Sequence, residues 1–151
     1  SRDNGRTPMQ WSDQPNAGFS SAEPWIEVAA NASHINVEHQ LDDPDSVLHY
    51  YRQLVALRRH EPLIQRGVYR QLMPEHAQVW VYVRESESTA ERLLVVNNFY
   101  GWSCEVELPE WVIDKLAHQR VVISNYPDCE PRNRQLFLRP YESFVLHLTD
   151  M

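Results

Sequence analysis

The sequence is poor in cysteine and glycine, has no long apolar run, and is short of positive charge. Each shortage excludes something. Two cysteines, Cys104 and Cys129, are too few for the disulfide framework of a small secreted domain. They read as two thiols of a reducing compartment, a cytoplasmic one, with a single bridge as the alternative. The four glycines are scattered, so no clustered loop exists to cradle a phosphate. No apolar run approaches the ~20 residues that span a bilayer, and no signal peptide is legible at the start. The net charge of −7 argues against nucleic acid and against an anionic membrane as partners. It suits a neutral substrate such as a sugar. A phosphorylated substrate would need a local basic pocket. The seven histidines, His34, His39, His49, His60, His76, His118 and His147, form no HxH or HExxH spacing, and no CxxC exists. No metal site is therefore expected, and no cofactor. No GxSxG elbow for a nucleophilic serine is present.

What is present reads as one domain, or a small domain with an appendage. At 151 residues and 42% apolar, a chain can bury roughly two thirds of its unfolded surface. Ten prolines against four glycines point to stiff loops. Residues 1–42 read as irregular, punctuated by "PNAG", "AEPW" and "DDPD". So long a loop is uncommon inside a compact domain and is usually functional or packed on something else. Residues 43–60 form the clearest helix. Asp43 can cap it with Pro44 first, or Asp45 or Ser46 can cap it one turn later. Val47, Tyr51, Leu54 and Leu57 make one apolar stripe. Leu48, Tyr50 and Val55 widen it, so the helix should pack on more than one layer. Arg58, Arg59 and His60 suit its C-terminal dipole, and Pro62 stops it. After Gly67 the period becomes two. "VYRQLM", "AQVWVYVRE", "RLLVVNNF", "CEVELP", "RVVISNY", "QLFLRP" and "SFVLHLT" read as about seven short strands. That spacing suggests an antiparallel sandwich with Greek-key connections.

Few residues invite a chemical role. Glu105 and Glu107 share one strand face, and Asp42 and Asp43 flank a helix start. Both pairs read as solvated or capping groups before they read as acid–base pairs. Trp25, Trp80, Trp102 and Trp111 could stack on sugar rings if exposed, although core or interface filling is the commoner fate of such rings. "NAS" at Asn31 to Ser33 fits a glycosylation sequon, a match short enough to arise by chance. In the opening, Arg2 and Arg6 lie four apart around Asp3 and Asn4. The loop is either a solvated one with local pairs, or one that presents a guanidinium fork to a carboxylate or sugar hydroxyl. Spacing alone does not separate these.

The stretch "SRDNGRTPMQW" resembles the segment after the eighth barrel strand in α-glucosidases of the α-amylase family, glycoside hydrolase family 13. The similarity continues through "NAGF", "PWI", "INV", "DPDSVLHYYRQLVALRR", "VVNNF" and "LRPYES", in the family's order. The subgroup it resembles holds oligo-1,6-glucosidases and trehalose-6-phosphate hydrolases. The resemblance implies a mainly β fold: a C-terminal antiparallel Greek-key β-sandwich, preceded by a loop and the last helix of a (β/α)8 barrel. Residues 1–62 would end the barrel and 63–151 would form the β-domain. It implies retaining hydrolysis of α-glucosidic bonds in short oligosaccharides or trehalose 6-phosphate, with an Asp nucleophile, a Glu acid/base and a second Asp. None of the motifs carrying those three residues occurs here, so no catalytic residue is assigned and this segment alone should be inactive. The implied partners are the missing barrel of the same polypeptide and, in the complete enzyme, an α-glucoside. Arg6 matches the second Arg of the family's RDNxRTPMQW motif, which helps bind the non-reducing glucose. Arg2 and Asp3 would hold the loop's shape. The alternative is a free-standing carbohydrate-binding or structural β-module.

Overall fold

The computed structural model describes residues 2–129, 131 and 134–149. The chain divides into two compact units, Ser1–Leu57 and Arg58–Met151.

In the first unit the chain is less irregular than its composition suggests. A helix, α1, runs Val37–Asp42. Asn36 caps it: its side-chain oxygen accepts the His39 N–H at 2.9 Å, while its amide donates to the Ala32 carbonyl at 2.9 Å. Six residues are too few to show a helical period, so only the cap could have announced it. The main helix, α2, spans Val47–His60 and starts at the later of the two expected positions. Ser46 Oγ accepts the His49 N–H at 3.3 Å, and Gln40 Oε1 accepts the Leu48 N–H at 2.9 Å. Asp43 instead turns its Oδ1 onto the Asp45 N–H at 2.9 Å, which uses it locally. The apolar stripe forms as spaced, yet no residue of α2 is buried. Val47 is 78% exposed and Tyr51 65%. Periodicity shows that a face seeks cover; it does not supply the cover.

The second unit takes in the last turn of α2 and then a further helix. Pro62 ends α2 and also opens α3, Pro62–Arg66, where its missing N–H costs nothing. Glu61 Oε1 accepts the Leu63 N–H at 3.1 Å, and Arg84 donates to the Leu63 and Ile64 carbonyls at 3.3 and 3.0 Å. Both ends of a five-residue helix are thus satisfied by side chains. All seven expected strands form: β1 Val68–Leu72, β2 Val79–Glu85, β3 Arg92–Asn98, β4 Cys104–Glu107, β5 Arg120–Ser124, β6 Gln135–Leu138 and β7 Ser143–Leu148. One antiparallel sheet has the order β1-β2-β3-β7-β5, with a bulge in β5 between Val121 and Ile123. β4 pairs with β6 in a second, two-stranded sheet. The chain crosses between the sheets after β3, β4, β5 and β6, as a sandwich requires. The core contains Val81, Leu94, Val106, Leu138, Phe144 and Leu146 from both sheets. Each such side chain contributes about 1.5–3 kcal/mol when fully buried. In β2, Val79, Val81 and Val83 point inward while Trp80 stays exposed, as the alternation predicts. The short helix α4, Glu110–Ile113, and the 3-10 turn Leu116–His118 add Val112 and Leu116 to the core. Neither is long enough to leave a period in the sequence.

Trp111 of α4 lies beneath two guanidinium groups, Arg70 at 5.0 Å and Arg92 at 5.6 Å. Glu85 binds both, at 2.5 Å from Arg70 and 3.1 Å from Arg92. The Arg70 hydrogen bond is the main reason the Glu85 carboxyl titrates below its ordinary value of 4.5; Arg92 adds to it and partial burial opposes it. A depressed carboxylate stabilises the fold above its ordinary pKa, and that contribution disappears as pH falls through the lower folded value. Glu85→Gln should therefore cost about 1 kcal/mol at pH 7 and progressively less at acid pH below the ordinary carboxylate value. The half-exposed Arg70 keeps the effect small. Thermal melts of both proteins at neutral and at acid pH would measure it, and equal losses at both would contradict the pairing.

Candidate functional site

The opening segment is a knit structure built from its own motifs. Arg2–Gly5 forms a 3-10 turn, and the Arg6 N–H donates to the Asp3 carbonyl at 2.9 Å to close it. Arg6 follows on the surface. Among the described residues its guanidinium makes no hydrogen bond or ion pair. It presents five N–H donors in a fixed fork. Pro8 is buried, and its ring fixes φ just beyond Arg6.

The chain is next anchored at Gln10 and Trp11. Their carbonyls accept the N–H groups of Val37 and Glu38 at 2.9 and 3.0 Å. These are first-turn donors of α1, which have no partner inside the helix. The Gln10 side-chain amide donates to the Ile35 carbonyl and to Asn31 Oδ1 at 3.4 Å. Beyond Trp11 the chain reverses through Asn16, Ala17 and Gly18, all left-handed with φ of 57°, 56° and 67°. The reversal returns the Ala17 carbonyl to the N–H groups of Trp11 and Ser12 at 2.9 and 3.2 Å. A β-carbon at Gly18 would lie 2.6 Å from Ser12 Oγ, which would have to rotate away, and the positive φ itself favours glycine. "RTPMQW", "NAGF" and "INV" therefore meet in space. Asn36 had a cap signature in the sequence; Gln10 had none, because its partners lie 21 and 25 residues away.

The other candidates part company. Glu107 pairs with exposed Arg134, and Glu105 accepts from Gln135 at 2.7 Å across the β4–β6 ladder. Both glutamates lie on a solvated face. The Asp42–Asp43 pair flanks the end of α1 and the Asx turn described above. Trp80 donates to the Tyr69 hydroxyl at 3.1 Å and packs on Tyr82 and Phe99. Trp102 donates to Gln78 at 3.1 Å and packs on Tyr100. Trp111 is half-buried beneath its two arginines. Trp25 stands 92% exposed, and Met9, Trp11 and Phe19 are each 50% exposed. Among the described residues, no group of three His, Cys, Asp or Glu is placed to hold a metal ion. Cys104 and Cys129 are both free thiols, and burial pushes each above the ordinary thiol value.

Two of the opening motifs' companions in the second unit, "VVNNF" and "LRPYES", also meet. The amide of buried Asn98 donates to the Trp102 and Arg139 carbonyls at 2.9 and 2.8 Å. Its oxygen accepts the Tyr100 N–H at 3.0 Å. Glu142, 4% exposed, accepts from the Arg139 N–H at 2.8 Å and from its Nε and Nη2 at 3.1 and 2.7 Å. Arg139 also reaches Asp128 at 2.6 Å and lies 3.8 Å above the Tyr126 ring.

An antiparallel sandwich preceded by a motif-bearing loop and a helix is the arrangement that the family likeness implied. Residues 1–67 match the family model of the alpha-amylase catalytic domain, and residues 79–145 match that of the alpha-amylase SusG C-terminal domain. The chain belongs to the α-amylase family, of which it forms a C-terminal part. It is 38% identical over 147 residues to an oligo-1,6-glucosidase of Bacillus cereus, covering 97% of this chain and 26% of that protein. It is 36% identical over 149 residues to a trehalose-6-phosphate hydrolase of Bacillus subtilis (strain 168), covering 99% and 26%. The crystal structure of a trehalose-6-phosphate hydrolase from Bacillus licheniformis superposes with a TM-score of 0.91 at 38% identity, over 99% of this chain and 27% of that one. An isomaltulose synthase from Klebsiella sp. LX3 gives 0.86 at 37% identity, over 98% and 26%. The chain thus spans about a quarter of the length of the relatives it matches.

Proposed function

We propose that this chain is the C-terminal portion of a retaining α-glucosidase that hydrolyses α-glucosidic bonds of short oligosaccharides or of trehalose 6-phosphate. Residues 1–62 complete a catalytic (β/α)8 barrel and 63–151 form the β-domain that stabilises it. Cleavage is carried out by paired carboxylates upstream, close enough for a double displacement. Arg6 binds the non-reducing glucose, its fork reaching a sugar hydroxyl or a barrel carboxylate. The observation that carries this reading is the knit opening loop: it matches the catalytic-domain family and leaves Arg6 exposed, with no ion pair to its guanidinium among the described residues. The uncovered stripe of α2 supports a barrel as the partner in the same polypeptide. Free thiols at Cys104 and Cys129 support a cytoplasmic setting. No helix among the described residues is long and apolar enough to cross a membrane.

The isolated chain is expected not to hydrolyse p-nitrophenyl α-glucoside, whereas the polypeptide with its upstream barrel does. Turnover by the isolated chain, abolished by one substitution within it, would place catalysis here and overturn the reading. Exposed Trp25 favours a second reading, a free-standing carbohydrate-binding module. Calorimetry decides it: heat of binding for maltose or isomaltose, lost in Trp25→Ala, would support the module.

A further inference from the structure

We propose that Gln10 is a positioning residue for Arg6, a role that rests on the reading of Arg6 given above. The geometry comes from three sets of bonds. The Gln10 side chain ties the loop to the Ile35 carbonyl and to Asn31. Its backbone carbonyl, with that of Trp11, closes the first turn of α1. On the other side of Arg6, the Asp3 carbonyl receives the Arg6 N–H. Arg6 is therefore suspended between a 3-10 turn and a clamp four residues on, with buried Pro8 between them. A four-residue tether spans at most about 14 Å, and the proline removes one of its rotations. Holding Gln10 in place limits where the guanidinium can go before substrate arrives. A fork that makes two hydrogen bonds in fixed geometry gains from such restraint, because less freedom is lost on binding.

The remaining bonds at this point distinguish Gln10 from its neighbours. Asn36 also contacts α1, but its side chain bonds only within residues 32–39. Gln10 is the side chain that joins the arginine-bearing stretch to that helical start. Losing its amide removes these two side-chain ties, so that only the backbone bonds of Gln10 and Trp11 hold the stretch to α1, and leaves the Asn36 cap intact.

The test uses the complete enzyme with its upstream barrel, with Gln10→Met, Arg6→Ala and the double variant. Methionine keeps the volume and removes both donors. Gln10→Met is expected to lower kcat/KM for p-nitrophenyl α-glucoside about tenfold, mainly by raising KM. The double variant is expected to match Arg6→Ala alone, because a residue that acts through Arg6 has nothing left to position. Wild-type kinetics in Gln10→Met, losses that multiply in the double variant, or a collapse of Tm in Gln10→Met would each overturn the proposal. Wild-type kinetics in Arg6→Ala would instead remove the reading of Arg6 itself. A deficient Arg6→Ala beside an unaffected Gln10→Met would leave that reading standing and refute only the positioning role.

Discussion

Arg139→Ala should lower the stability of the β-unit by about 3 kcal/mol, because it strands Glu142 as a buried charge without its partner. Glu142 is 4% exposed and takes three hydrogen bonds from Arg139, two of them from the guanidinium. The same guanidinium holds Asp128 and covers the Tyr126 ring. Its charge titrates well above the ordinary arginine value, with the Glu142 hydrogen bonds as the main cause and those to Asp128 next. The guanidinium thus stays charged throughout the range in which proteins fold. For a unit of this size the melting temperature should fall by about 10 °C or more. Arg139→Lys should cost less, since it keeps the charge and loses the fork. The paired change Arg139→Met with Glu142→Leu should recover part of the loss, because no charge then remains buried. Thermal and urea unfolding would measure all three. A loss under about 1 kcal/mol in Arg139→Ala would mean that Glu142 is rehydrated in the folded state.

Under the proposed reading of Arg6, Arg6→Ala in the complete enzyme should lower kcat/KM by about 2–4 kcal/mol, the loss expected when a desolvated charge partner is left unpaired. Folding should hardly change. Arg6 is exposed here, and its side chain contributes no bond to the knit loop. The prediction therefore separates kinetics from stability. Steady-state kinetics with p-nitrophenyl α-glucoside, set beside melting curves, would show a large effect in the first and little in the second. Unchanged kinetics would reduce Arg6 to a solvated loop residue. Arg6→Lys should recover only part of the activity, since an ammonium keeps the charge without the planar fork.

Several elements could be read directly. The strands of the β-unit alternate cleanly, and β2 buries Val79, Val81 and Val83 while exposing Trp80, as period two requires. The seven runs became seven strands because each is bounded by turn residues and has one face to bury. The main helix was legible from its stripe, and Ser46 was among its possible caps. The elements that escaped notice are short. α1, α3 and α4 have four to six residues, too few to show a period. They form because caps such as Asn36 and Glu61, or burial of Val112 in the core, satisfy them one by one.

The sequence by itself determined which faces are apolar, where the strands and the main helix lie, and which family the opening motif belongs to. These are local properties, carried by residue type and by spacing within a few positions. Only the tertiary structure decided that Gln10 clamps the loop on residues more than twenty positions away, that Asn98 and Glu142 share one buried network, and that the stripe of α2 is left without cover. The reason is physical. Hydrogen-bond partners and burial depend on what the fold brings near, and distance along the chain does not encode it.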